Sequence, residues 1–322
     1  MKACLRVATG LALLSMIAGM AAGQTPPAAR PARPPARPAI RPALPSRPSA
    51  FPAPIVPGGI VENPCLPSWH RPHQEIPTQV ALITPSATPI VPAPTAPDAA
   101  ARYAAMIRAD YGRLCYYRRD NAELPPNPEP GRPRIIFFGA SVTELWRLGD
   151  RQLFERVIDR GISGQTTSQG LLRFRQDVIE LNPAVVQILM GTNDVAGNGG
   201  PTTYAAVENN IRTMAELARL HGIRVIIGSI TPARLFAWNP RLKPAPAQTI
   251  VAMNARLRAL AAREGYVYAD YHAVLADAEQ GMIKAFTNDG VHPNRDGYAA
   301  MRPIADRAIA EALSGAGRPA SR

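Results

Sequence analysis

The chain has 322 residues, 35 of them proline, and carries a formal net charge of +12. Prolines crowded toward one end exclude a globular fold for the whole chain and leave one compact domain in its C-terminal part. Subtracting seven basic residues of the first 47 positions (Lys2, Arg6, Arg30, Arg33, Arg37, Arg41 and Arg47) leaves +5 for everything else, a mildly basic surface without the aromatic-studded basic stripe that nucleic acid requires.

Residues 1–23 have the parts of a secretory signal peptide: basic Lys2 and Arg6, an apolar stretch from Val7 to Ala22, and small residues Ala21 and Gly23 before Gln24. The protein is expected to be exported, to the periplasm or the medium, and no second apolar run of spanning length suggests a stable membrane anchor. Residues 24–96 are a Pro/Ala/Arg-rich arm without apolar periodicity, expected to be disordered or polyproline-like. Within it, His70 and His73 flank a proline and lack further ligands, so no metal is assigned to them. Cys4 lies in the leader. That leaves Cys65 and Cys115, for which an oxidising compartment favours a disulfide tying the arm to the helix before the catalytic domain, with two free thiols as the other outcome.

Residues 97–130 are read as an accessory helix and linker. Ala101, Ala105, Ile107, Tyr111, Leu114, Cys115 and Arg118 fit one amphipathic helix, ending before Pro125-Pro126 and packing on the core. From 131 to 316 the pattern alternates in the manner of a parallel α/β sheet, with a short tail at 317–322. Strands are predicted at 134–138, 157–162, 184–190, 223–229 and 266–270. Helices are predicted at 167–181, 203–221, 247–264 and 295–313. Asn182-Pro183 stops the first of these helices, His221-Gly222 closes the second, and Pro293-Asn294 opens the last.

Four short blocks fall on the loops after these strands or before the last helix. Gly139-Ala140-Ser141 ends the run Ile135-Ile136-Phe137-Phe138 in a sharp turn carrying a hydroxyl, at the sheet edge where open α/β folds bind ligands. Alone it is equally a helix-cap serine. Gly161 to Thr167 places glycines where backbone must approach a ligand, Met190-Gly191-Thr192-Asn193-Asp194 ends a strand in a side-chain amide, and Asp289-Gly290-Val291-His292 precedes the last helix. Together they spell acyl transfer. A serine needs an imidazole to take its proton, and a carboxylate must hold that imidazole in the right tautomer. Asp289 and His292 can serve Ser141 in this way, while the backbone N–H of Ser141, that of Gly164 and the side chain of Asn193 can form an oxyanion hole. Asp194 is read as bracing the Asn193 loop, and His221 and His272 as structural.

In their order Ser, Gly, Asn and Asp-x-x-His, these blocks resemble the SGNH (GDSL) hydrolase superfamily of serine esterases and lipases, over residues 134 to about 312. The resemblance implies a flavodoxin-like three-layer α/β/α sandwich with a parallel five-stranded sheet, hydrolysis with no cofactor and no metal, and the triad and oxyanion hole just named. Ala140 departs from the family pattern by replacing the aspartate that usually precedes the nucleophile, a supporting group rather than the triad acid. The expected partner is a small-molecule or carbohydrate ester, with short acyl (acetyl) esters placed first. A lipase or thioesterase of the same mechanism, or a non-catalytic module binding cell-wall polysaccharide, are the other readings. Trp146 and Trp238 are candidates for a substrate-binding aromatic floor, with simple packing as the other explanation. The oligomeric state is not legible.

Overall fold

Five runs become strands of one parallel sheet, most of them apolar because both faces of such a sheet are covered. They are β1 (Ile135–Gly139), β2 (Ile158–Gly161), β3 (Val185–Leu189), β4 (Arg224–Gly228) and β5 (Val267–Ala269), in the order β2-β1-β3-β4-β5. This is the doubly wound, flavodoxin-like order, and it reverses between β1 and β3. The computed structural model describes residues 63–66, 69, 77–88, 97–125, 128 and 131–315. All of these lie in the unit Ala53–Arg322. The leader, most of the arm with His70 and His73, and the tail lie outside the described residues.

Alternation along the strands divides the core in two. Ile136 and Phe138 of β1, Val186 and Ile188 of β3, and Val225 and Ile227 of β4 face one layer with Phe174, Met214, Ile250 and Leu257. Ile135, Phe137, Val185, Leu189 and Ile226 face the other with Leu145, Trp146, Tyr298 and Met301. The first layer is built from α5 (Thr167–Asp177), α7 (Tyr204–Leu220) and α8 (Pro246–Glu264); the second from α4 (Ser141–Gly149), α9 (Tyr271–Leu275) and α10 (Arg295–Ser314). A further short helix, α6 (Thr192–Val195), follows β3.

The N-terminal segments differ from expectation in two places. Within the stretch read as a structureless arm, Pro77–Ile83 forms a helix, α1, with Pro77 at its start and Ile83 buried in the second core. Its sequence, Pro-Thr-Gln-Val-Ala-Leu-Ile, places a proline at the first helical position, where it is tolerated, and carries one apolar edge, a signal masked by the prolines around it. The accessory segment is two helices, α2 (Pro97–Ala109) and α3 (Arg118–Glu123), rather than one. The Asp110 carboxylate accepts from the backbone N–H of Leu114 (2.8 Å) and Cys115 (3.0 Å), and Arg113 takes a positive φ of 56°. A local side-chain acceptor has outcompeted the helical ladder there.

Cys65 and Cys115 form a disulfide, with S–S 2.07 Å and Cα–Cα 5.5 Å, across a sequence separation of 50. A closed loop of that length restricts the unfolded chain enough to contribute about 4 kcal/mol in the chain-entropy treatment. Replacing both cysteines with serine is therefore expected to lower the denaturation midpoint clearly in chemical unfolding. A variant as stable as the parent would show that the bridge leaves the unfolded chain unaffected.

Candidate active site

The turn after β1 is so tight that only glycine fits its first position. A Cβ on Gly139 would lie 2.0 Å from Thr143 Oγ1 and 2.6 Å from the Leu189 carbonyl. Ala140 caps α4 through its backbone, and Ser141 is the first helical residue. At that position the backbone N–H has no acceptor within the helix.

Ser141 Oγ stands 2.9 Å from His292 Nε2, and His292 Nδ1 stands 2.7 Å from Asp289 Oδ2. The loop before α10 is preorganised for this. Asp289 Oδ1 accepts from the backbone N–H of Val291 (2.9 Å) and His292 (2.8 Å), leaving Oδ2 for the imidazole. Burial pushes the Asp289 carboxyl up, but the charge and hydrogen bonds of His292 and the two backbone donors outweigh it and hold the group at about 2. It is ionised throughout the range in which an imidazole can act as a base.

Gly164 follows β2 with φ +81°, a left-handed conformation that suits glycine and holds the loop at the site's edge. The next turn is locked by a capping box between Thr166 and Gln169 that starts α5. Asn193, on α6, is buried and donates through Nδ2 to the Gln165 carbonyl at 3.0 Å, so the third block leans directly on the second. Asp194 joins them more firmly, accepting from Thr167 N (2.9 Å) and Oγ1 (2.7 Å). Burial pushes its carboxyl up, against the Thr167 hydrogen bonds that lower it. The structure thus brings Ser141, Asp289 and His292 into one hydrogen-bonded line, and joins the loops of Gly164 and Asn193 beside each other.

Two residues with structural parts at the site carry no motif. Glu144, one turn into α4, accepts from Ser163 N (2.7 Å), from the Ser163 hydroxyl and from the Tyr116 phenol (2.5 Å). Where Ala140 offers no carboxylate, Glu144 brings one to the loop next to Gly164. Burial and the Glu144 carboxylate push the Tyr116 phenol up, so it remains a donor. Arg173 of α5 is wholly buried and donates to the carbonyls of Gly139 (2.9 Å) and Arg160 (3.0 Å), to Gln165 Oε1 (2.6 Å) and to Asp177 Oδ2 (3.0 Å). It ties the carboxyl ends of β1 and β2 to the loop that carries Gly164. The i, i+4 spacing of Arg173 and Asp177 is its one sequence signal.

The tryptophans part company. Trp146 is not a substrate floor: it is fully buried, 5.5 Å from Tyr298 in a stacked pair and 5.4 Å from Phe137 and Tyr271. The reason is helical geometry, since Trp146 follows Val142 by four residues and shares its core face. Trp238 is half-exposed beside buried Phe236, and its indole donates to Asn198 Oδ1 at 2.9 Å. His221 ends α7 and His272 lies in α9.

The sequence profile of the GDSL-like lipase/acylhydrolase family matches residues 138–300. Esterase TesA of Pseudomonas aeruginosa is 32% identical over 148 residues, which span 46% of this chain and 66% of the esterase, just under two thirds of that relative. A GDSL-like lipase of solved structure from Bacteroides thetaiotaomicron is 39% identical, with a TM-score of 0.61 over 63% of this chain and 100% of its own. A Bacteroides fragilis protein designated an acylhydrolase is 40% identical at the same TM-score of 0.61, covering 63% and 99%.

Proposed function

Since the chain belongs to the GDSL-like lipase/acylhydrolase family, we propose that it is an exported serine esterase that cleaves short acyl esters of carbohydrates or small molecules through an acyl-enzyme. The observation that supports this reading is the relay from Asp289 through His292 to Ser141, with distances of 2.7 and 2.9 Å. Ser141 Oγ attacks the acyl carbon as its proton passes to His292 Nε2, and Asp289 stabilises the imidazolium that forms. The carbonyl oxygen, now an oxyanion, is received by the N–H groups of Ser141 and Gly164 and by the Asn193 amide. His292 then protonates the departing alcohol, and a water activated by the same imidazole releases the acid. Export rests on the leader at residues 1–23.

Half-exposed Trp238 offers a ring face to the alcohol portion, as a sugar would require.

A fluorophosphonate probe should label the purified protein at one site, and peptide mass spectrometry should place the label on Ser141. Absence of labelling by an otherwise folded protein would refute the activated serine. Across p-nitrophenyl esters, kcat/KM is expected to fall about tenfold or more from acetyl to octanoyl; a rise instead would favour a lipase.

A further inference from the structure

An oxyanion-hole amide is useful only if its nitrogen, not its oxygen, faces the substrate. Asparagine is nearly symmetric in shape, so something must set which end goes where. A chain of hydrogen bonds does so here. Trp238 Nε1 donates to Asn198 Oδ1 at 2.9 Å, Asn198 Nδ2 donates to Asn193 Oδ1 at 2.7 Å, and Asn193 Nδ2 donates to the Gln165 carbonyl at 3.0 Å.

The polarity of the chain is fixed at both ends. An indole nitrogen can only donate and a backbone carbonyl can only accept. The oxygen of Asn198 must therefore face Trp238, and its NH2 must face Asn193. The oxygen of Asn193 must then accept, and its NH2 must point to Gln165, with one N–H engaged there and the second making no further hydrogen bond among the described residues. We propose that Asn198 and Trp238 are positioning residues that hold the Asn193 amide nitrogen toward the substrate oxygen.

Trp238 can anchor such a relay although it is half-exposed. It packs on buried Phe236 with ring centroids 5.1 Å apart, and the neighbouring Asn239 side chain donates to the Ala196 carbonyl at 2.9 Å, fastening this loop to the one that comes after Asn193. The backbone of Asn198 separately donates to the Asn193 carbonyl at 3.0 Å. Changes to the Asn198 side chain therefore leave the loop closed and act on the amide alone.

The inference rests on the oxyanion role proposed for Asn193, and it makes an unusual prediction. Asn198→Asp, which keeps the shape, should do more harm than Asn198→Ala, which deletes the group. An ionised aspartate cannot donate, so two acceptors would face each other and Asn193 would be driven out of its orientation. Alanine only removes the guide.

With p-nitrophenyl acetate, Asn198→Asp is expected to lose about 100-fold in kcat with KM within about threefold of the parent, the signature of an oxyanion donor. Asn198→Ala should lose about tenfold and Trp238→Phe severalfold, all with unchanged thermal melting. Losses carried by KM in the Asn198 variants, or an aspartate variant no worse than the alanine one, would overturn the proposal. A second readout does not depend on turnover: the side-chain amide 1H–15N signals of Asn193, identified by their loss in Asn193→Asp, should move in Asn198→Asp and in Trp238→Phe. If they stay in place, the relay does not exist, whatever the activity. If they move while the parent cleaves no ester, the relay stands and the assigned reaction falls.

Discussion

Ser141→Ala is expected to lower kcat for p-nitrophenyl acetate by about six orders of magnitude and to leave the melting temperature nearly unchanged. Both halves come from the geometry. Ser141 Oγ stands at the start of α4, 2.9 Å from His292 Nε2, the base that would take its proton. Removing Oγ takes away the proposed nucleophile but leaves Asp289, His292 and the proposed oxyanion donors in place. Alanine is also a better helix former than serine, so the first turn of α4 should tolerate the change. The surviving donors should still speed hydrolysis by about 10³ to 10⁴ over water. An alanine variant with parental turnover would show that another group performs the attack.

Asp289→Asn is expected to cost about 10⁴ in kcat, and the structure says why the amide cannot rescue itself by turning round. One carboxylate oxygen of Asp289 accepts from two backbone N–H groups, those of Val291 and His292, at 2.9 and 2.8 Å. In the variant those donors select the amide oxygen, which leaves the NH2 group facing His292 Nδ1. That nitrogen would then have to accept, its proton would move to Nε2, and the base would present a donor to the serine hydroxyl. Asp289→Glu should fail differently, since a longer carboxylate keeps the right polarity but loses the two backbone donors. Steady-state kinetics on both variants separates tautomer from position.

Much of the site is legible in the sequence because its elements announce themselves through turn chemistry. Gly139, Gly164 and Gly191 are needed where backbones crowd or turn left-handed, and the Asp289–His292 spacing lets a carboxylate fold back on its own loop. The strands are legible for a related reason: both faces of β1, β3 and β4 are buried, so their runs are almost continuously apolar. Glu144 and Arg173 are not readable in this way. A glutamate in a first helical turn is what the helix dipole favours anyway, and an arginine on a helix is usually solvated, so neither residue type hints at a partner 19 or 34 positions away. Asn198 escapes for the same reason, since its meaning comes from an indole 40 residues further on. Trp146 is the instructive error. Its proximity to Ser141 in sequence suggests the pocket, whereas its helical phase, shared with Val142, assigns it to the core.

The side chain of Asn288, immediately before the triad acid, gives its N–H groups to the carbonyls of Ala81 (2.9 Å), Leu82 (3.1 Å) and Thr84 (2.6 Å) at the end of α1. The working unit is thus wider than the 138–300 span that the family shares. Anyone trimming this esterase to its recognisable homology, or grafting that homology onto another scaffold, would discard the buttress behind the acid and strand an amide next to it. A sound cut lies upstream of Cys65, which keeps the bridge to Cys115 as well as α1.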